Sequence, residues 1–162
     1  MTIKEEEALN QWLDEQLKAG LIMESKSRYM APYFYIPKKN SLLQLVQDYR
    51  KLNQVIIKSK MPLPLIGEVI NKLKKAKYFN KLDLIWGYNN IRIKEDNEWK
   101  AAFLTNKRLF ELQVIYFRLY NSLETFQRMM NSIFWKLLHK GVLANYMDDF
   151  IILAKTIKEL KK

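Results

Sequence analysis

The apolar positions change period along the chain, and each change marks an element. Leu9, Trp12, Leu13 and Leu17 recur at helical spacing. Thr2-Ile3-Lys4-Glu5 ahead of them is a capping-box pattern, and Gly20 stands where such a helix would stop. Tyr33 to Ile36 and Leu42 to Tyr49 read as two strands joined by a turn over Pro37-Lys38-Lys39-Asn40-Ser41. Pro62 and Pro64 open a second helix with the stripe Ile66, Val69, Ile70 and Leu73, and Tyr78 to Leu84 is a short strand with Asp83 near its end. Residues 91–117 alternate as one or two hairpins that turn at Asn106-Lys107. Ser122 to Lys140 is predicted to be the longest helix, with Phe126, Met130, Ile133, Phe134 and Leu137 forming a core face and Gly141 ending it. A hairpin over 142–154 follows. Lys155 to Lys162 starts a basic helix whose abrupt stop looks like truncation.

The closing hairpin raises the chemical question. In "NYMDDFIIL", residues 145–153, Asp148 and Asp149 stand side by side between apolar flanks. Asp favours turn positions, so a tight turn accounts for the pair. The alternative is a cation site, because a divalent ion converts the repulsion between neighbouring carboxylates into attraction. Asp83, at a predicted strand end, is the candidate third ligand. Three acids so placed suit two-metal phosphoryl transfer, in which ions roughly 3.5–4 Å apart stabilise the attacking and leaving oxygens. Hard oxygen donors select Mg²⁺ or Mn²⁺. Spacing alone does not establish such a site.

Composition narrows the field. The chain has 162 residues, 49% of them hydrophobic, which is enough for a real core. It has no cysteine and one histidine, His139, which removes disulfide scaffolds, thiolate metal sites and a Ser-His-Asp triad as economical readings. His139 is read as a surface residue. No stretch approaches the roughly 20 apolar residues of a membrane span and no secretory signal opens the chain, so an intracellular protein without membrane contact is expected. The net charge of +11 points to an anionic partner. Seven lysines against one acid from Lys58 to Lys81, with aromatics interleaved throughout, suit a nucleic-acid groove, although a solvated lysine-rich face explains much of the same pattern.

Five blocks in order carry a resemblance. "IPKKNSLLQLVQDYRKLN" (36–53), "MPLPLI" (61–66), "KLDLIWGYNNIRIKEDNEWKAAF" (81–103), "TFQRMMNSIF" (125–134) and "YMDDF" (146–150) are similar to the reverse transcriptases of gypsy-type LTR retrotransposons. The resemblance implies an α+β right-hand polymerase, with fingers and palm, an antiparallel palm sheet backed by helices, and the thumb absent. Residues 1–58 and 91–120 would be fingers-like, and 59–90 and 121–162 palm. It implies two Mg²⁺ or Mn²⁺ ions on Asp83, Asp148 and Asp149. A dNTP pocket would be formed by Lys38, Lys39, Gln44, Trp86, Gly87, Tyr88 and Phe117, with Tyr88 as a steric gate against a 2′-hydroxyl. Tyr146 and Met147 would lie near the primer end. The implied partners are dNTPs and an RNA or DNA template with primer, and the implied location is the cytoplasm or a retrotransposon particle.

The departures from the family pattern cluster in that pocket. Gln44 stands where the family has an arginine, which removes a bidentate phosphate contact. Tyr116, Arg118 and Leu123 replace a proline, a glycine and a proline, Arg108 replaces a glycine, and Ile85-Trp86 replaces a polar pair. Gly→Arg, Pro→Leu and Arg→Gln are each one G:C-to-A:T transition, so a decaying element copy is one expectation. The competing functions are thus a polymerase segment, an inert basic nucleic-acid-binding remnant, and a structural or dimerisation module, the last disfavoured by the ordered blocks.

Overall fold

The computed structural model describes residues 2–37, 43–60 and 64–160. Lys38, Lys39 and Leu42, the turn over 38–41 and Pro62 lie outside the described residues. The chain divides into two compact units, Met1–Ile57 with Tyr88–Tyr120, and Lys58–Gly87 with Asn121–Lys162.

The first unit begins with α1 (Ile3–Lys18), closed at its start by the expected capping box: Thr2 Oγ1 accepts from the Glu5 amide at 3.3 Å, and Glu5 Oε2 accepts from the Thr2 amide at 2.6 Å. Gly20 takes φ +66° just after the helix, a conformation that costs glycine little. Leu9 and Leu13 are buried, but Leu17 is exposed and Gln16 takes the buried position in its place. Strand β1 (Ile22–Glu24) pairs with β6 (Leu109–Leu112), which also pairs with β5 (Ala102–Leu104), all antiparallel. A separate two-stranded ladder joins β2 (Tyr33–Pro37) to β3 (Leu43–Gln47). The core gathers Leu9, Leu13, Leu45, Tyr49, Phe103, Phe110 and Leu112. Neither β1 nor α2 (Arg50–Val55) is expected from the sequence, since elements of three and six residues are too short to show a period.

The block from Asp48 to Asn53 pins this unit together. Asp48 accepts from the Arg50 amide and from its guanidinium, which holds the Asp48 carboxyl down at about 2. Tyr49, almost fully buried, donates its hydroxyl to the Ala101 carbonyl at 2.8 Å. Asn53 donates to the Arg118 carbonyl and accepts from the Tyr120 amide, both at 2.9 Å.

The second unit is a three-stranded antiparallel sheet in the order β4 (Tyr78–Asp83), β8 (Asp149–Ala154), β7 (Leu143–Tyr146). The helix expected over 122–140 is two helices, α4 (Ser122–Ile133) and α5 (Trp135–His139), so α1 is the longest described helix. The break at Phe134 falls in Ile133-Phe134-Trp135, a run of β-branched and aromatic residues that hold a helix weakly. The Phe134 ring packs edge-on to Phe150, with centroids 5.2 Å apart, while Ile133 and Leu137 of the expected core face are exposed. The stripe of α3 (Ile66–Leu73) is likewise not buried. A cavity of about 530 Å³ lined by Leu65, Val69, Trp135 and Leu138 borders α3 in place of close packing. Amphipathic spacing predicts an apolar face but does not supply what covers it. The short α6 (Ile157–Leu160) follows β8.

Truncating Asn53 to alanine leaves a carbonyl and an amide without their partner, and the expected cost is about 1–3 kcal/mol. Tyr49→Phe is expected to cost about 0.5–1.5 kcal/mol, the scale of one hydrogen bond. Urea unfolding midpoints of the two variants, read against the parent, check both values.

Candidate active site

Strand register places the acids. In the β4–β8 ladder Asp83 stands directly opposite Asp149, and in the β7–β8 ladder Tyr146 stands opposite Asp149. Opposed residues of an antiparallel sheet share a face, with Cβ atoms roughly 4.5–5.5 Å apart. Asp83, Asp149 and Tyr146 therefore form one row across three strands. Asn145 and Phe150 stand on the other face, toward α4 and Phe134. Asp148 sits on the two-residue turn between β7 and β8, and its carbonyl lies 3.5 Å from the Leu84 amide just past Asp83. The three acids meet at one end of the sheet. The turn reading holds, and the turn is what delivers the pair to Asp83.

That turn is strained. Met147 has φ +56°, the left-handed region that glycine favours at the first central position of a II′ hairpin turn. A buried polar network holds it. Gln127 of α4, 3% exposed, accepts from the Met147 amide at 2.8 Å and donates to Asn131 Oδ1 at 2.9 Å. Asn145 of β7 donates to the same oxygen at 3.3 Å. On the β4 side Trp86 also has a positive φ, +57°, with its side chain well exposed. Gly87 is buried against α4, where an added Cβ would lie 3.1 Å from the Phe126 ring. Close packing gives this glycine a reason independent of any triphosphate.

The electrostatics centre on Lys81. It lies two residues before Asp83 on the same face, and its ammonium is 2.8 Å from Asp149 Oδ1. The hydrogen bond that the ammonium donates to Asp149 and that residue's charge, with smaller contributions from Asp83 and Asp148, raise Lys81 above the ordinary lysine range. Three carboxylates are a donor set that fits a hard divalent ion. As the side chains stand, no group of three acidic, histidine or cysteine residues among the described residues is arranged to hold a metal, and the Asp149 carboxylate is engaged by Lys81.

The remaining candidates divide between the units. Trp86, Gly87, Tyr146 and Met147 share the acids' unit, while Gln44, Tyr88 and Phe117 belong to the first. Gln44 is on β3 opposite Ile36. Tyr88 is half-buried in the 3₁₀ turn Gly87–Asn90. Phe117 stacks on Tyr116, and Arg118 lies over the Phe117 ring at 5.1 Å. Lys81, Gln127, Asn131 and Asn145 are not among the site residues expected from the sequence. The period of two already placed Lys81 beside Asp83, and Gln127 and Asn131 fall beside Phe126 and Met130 on the face of α4 read as apolar.

Comparison with known proteins identifies the family and the fold. The family model described as reverse transcriptase (RNA-dependent DNA polymerase) matches residues 36–162. The retrovirus-related Pol polyprotein from transposon 297 of Drosophila melanogaster is 39% identical over 152 residues, covering 91% of this chain and 14% of that protein. The transposon Tf2-3 polyprotein of Schizosaccharomyces pombe is 34% identical over 153 residues, covering 94% and 11%. The chain thus spans less than a sixth of the length of these relatives. Among solved structures, the foamy viral protease-reverse transcriptase in complex with RNA/DNA hybrid superposes with TM-score 0.87 at 23% identity, over 99% of this chain and 21% of that one. The native prototype foamy virus protease-reverse transcriptase gives 0.86 at 21% identity, over 98% and 21%.

The fold is that of the right-hand polymerases, α+β with an antiparallel sheet backed by helices. Within that class the chain belongs to the reverse transcriptase family, and its relatives are retrotransposon polyproteins. No described helix is long and apolar enough to cross a membrane.

Replacing Gln127 by leucine keeps the bulk and removes the acceptor for Met147. Hydrogen exchange at the Met147 amide is expected to quicken about tenfold, the equivalent of one hydrogen bond, with helix content unchanged by circular dichroism.

Proposed function

We propose that this chain is the fingers and palm portion of a gypsy-type retrotransposon RNA-directed DNA polymerase, extending a primer 3′-hydroxyl with dNTPs on an RNA or DNA template. The first unit would be fingers and the second palm. The observation that carries the reading is the row of Asp83 against Asp149, with Asp148 beside them on the turn. Asp83 and Asp148 would hold the two divalent ions, Mg²⁺ or Mn²⁺, and Asp149 would be the third acid. When bound, such ions stabilise the attacking and leaving oxygens of an in-line displacement. The chain's own groups do the positioning. Gln127 fixes the turn that presents Asp148, and the β4–β8 register fixes Asp83 against Asp149. Tyr146, on the same row, faces the place where a primer end would lie, with Met147 beside it on the turn. By the family resemblance, Tyr88 would exclude a 2′-hydroxyl, Trp86 and Gly87 would present backbone to a triphosphate, and Phe117 would cover a nucleotide. Lys38 and Lys39 would reach the phosphates as point charges.

A second reading, a basic nucleic-acid-binding remnant that no longer polymerises, is favoured by the first unit. Gln44 offers a neutral amide where the family has a guanidinium. Arg118 leaves Nε buried without a hydrogen-bond partner among the described residues, and the Gln47 amide is in the same state. Unpaired buried polar groups of this kind cost the fold stability.

Primer extension on an RNA template, with and without Mg²⁺, separates the two. The parent chain is expected to extend poorly, because losing a charged phosphate contact costs about 1.5–3 kcal/mol, on the order of tenfold to a hundredfold in rate. Gln44→Arg with Arg118→Gly should raise extension, and Asp148→Asn should then abolish it. Efficient extension by the parent would remove the remnant reading. Extension that survives Asp148→Asn would remove the catalytic one.

The +11 charge yields a second expectation. Affinity for a primed template should fall steeply with salt, with a log–log slope of roughly −0.7 to −0.9 per phosphate neutralised. Fluorescence anisotropy from low to moderate salt reads this slope, and a flat profile would leave the charge without its proposed partner.

A further inference from the structure

We propose that Lys81 is the resident counter-ion of the acid triad and that a divalent ion loads by displacing its ammonium from Asp149. This rests on the cation reading of Asp83, Asp148 and Asp149 given above. Two observations support it. The period of two along β4 puts Lys81 on the face that carries Asp83, one diagonal step from Asp149 across the ladder. The ammonium is within 2.8 Å of Asp149 Oδ1.

The chemistry makes the ammonium and a divalent ion competitors. An ammonium donates hydrogen bonds to the same carboxylate oxygens that a hard cation coordinates. Without some cation nearby, three carboxylates at one strand end repel one another, and Lys81 offsets part of that repulsion. The pair is also exposed on both sides, with the lysine side chain 64% and the aspartate 48% accessible. Exposed pairs of this kind are weak, so the lysine is a placeholder that a divalent ion can dislodge. Lys81 therefore lowers the intrinsic cation affinity of the free chain. A lysine that merely oriented Asp149 for the metal would raise it. The two roles differ in sign.

The test uses the full 162-residue chain and Mn²⁺, with free Mn²⁺ read by electron paramagnetic resonance at fixed pH and ionic strength. Lys81→Met is expected to bind Mn²⁺ about two- to fivefold more tightly, the scale of losing an exposed ion pair as competitor. Lys81→Arg, which keeps a cation there, should stay close to the parent. The gain should vanish when Lys81→Met is combined with Asp149→Asn. Lys77→Met makes the same change in net charge near the far end of β4 and should leave affinity unchanged. Circular dichroism on every variant establishes that the fold persists. Unchanged or weaker Mn²⁺ binding by Lys81→Met would overturn the proposal, as would an equal gain from Lys77→Met. Failure of the underlying cation reading has a different signature, Mn²⁺ binding that is absent or indifferent to Asp83→Asn, and the Lys81 proposal would fall with it.

Discussion

The antiparallel register of β4 on β8 is the constraint on which the candidate site depends. Opposed residues share a face, so pairing Asp83 with Asp149 also fixes Lys81 on that face and sends Phe150 to the other. A slip of one residue along β8 would turn Asp149 to the buried face and expose Phe150. The register is held from the buried side, where Phe150 meets Phe134 and Asn145 meets Asn131. Apolar packing on one face thus positions charge on the other. The break between α4 and α5 takes part in this, because it is Phe134, at the break, that reaches Phe150.

Holding two acids next to a third requires a turn that a flexible chain would not keep, and the structure shows strain on both sides of the group. Met147 and Trp86 both adopt φ values that favour glycine, at a cost of order 1–3 kcal/mol each. Such conformations persist only where the surroundings over-determine them. At Met147 those surroundings are identifiable: the buried Gln127 amide takes the backbone N–H, and Asn131 satisfies Gln127 in turn. A polar residue on the buried face of a helix is a liability unless fully paired, and here the pairing aims at the turn between the strands. The core of the second unit therefore acts on the geometry of its acid group through one side-chain carbonyl.

Much of this was legible in the sequence, and the exceptions have physical causes. The closing hairpin, the strand ending near Asp83 and the capped first helix all carry strong local signals in period, turn chemistry and caps. What failed was the assumption that a periodic apolar stripe is a buried one. The α3 stripe and the far end of the 122–140 pattern have the right spacing, yet Ile66, Ile70, Ile133 and Leu137 are exposed. Burial depends on a facing element, which no local window contains. The Gln127 network was hidden for the opposite reason. Its members lie 14 and 20 residues from their partners, and Gln and Asn on a helix look solvent-facing until the partner is known.

The blocks that identify the family also differ in what they attest. Within 44–53, Asp48, Tyr49 and Asn53 are fully used inside the first unit, accepting from Arg50 at the start of α2, anchoring Ala101 and tying down Arg118 and Tyr120. Selection or chance that preserves folding preserves these residues whatever becomes of the chemistry. Gln44, four positions before Asp48, has no such part in the hydrogen bonding described for the unit, and it is there that the family arginine is missing. The same division runs through the sheet of the second unit. Gly87 packs close to the Phe126 ring and Phe150 against Phe134, whereas Asp83 and Asp148 gain nothing for stability from standing close together. Matching a folding residue therefore certifies the fold, and only residues that cost the fold something can testify to function. Asp83, Asp148 and Asp149 are of that second kind. Their retention at one sheet end, on a strained turn with a single lysine bonded among them, is the part of this chain that packing alone does not explain.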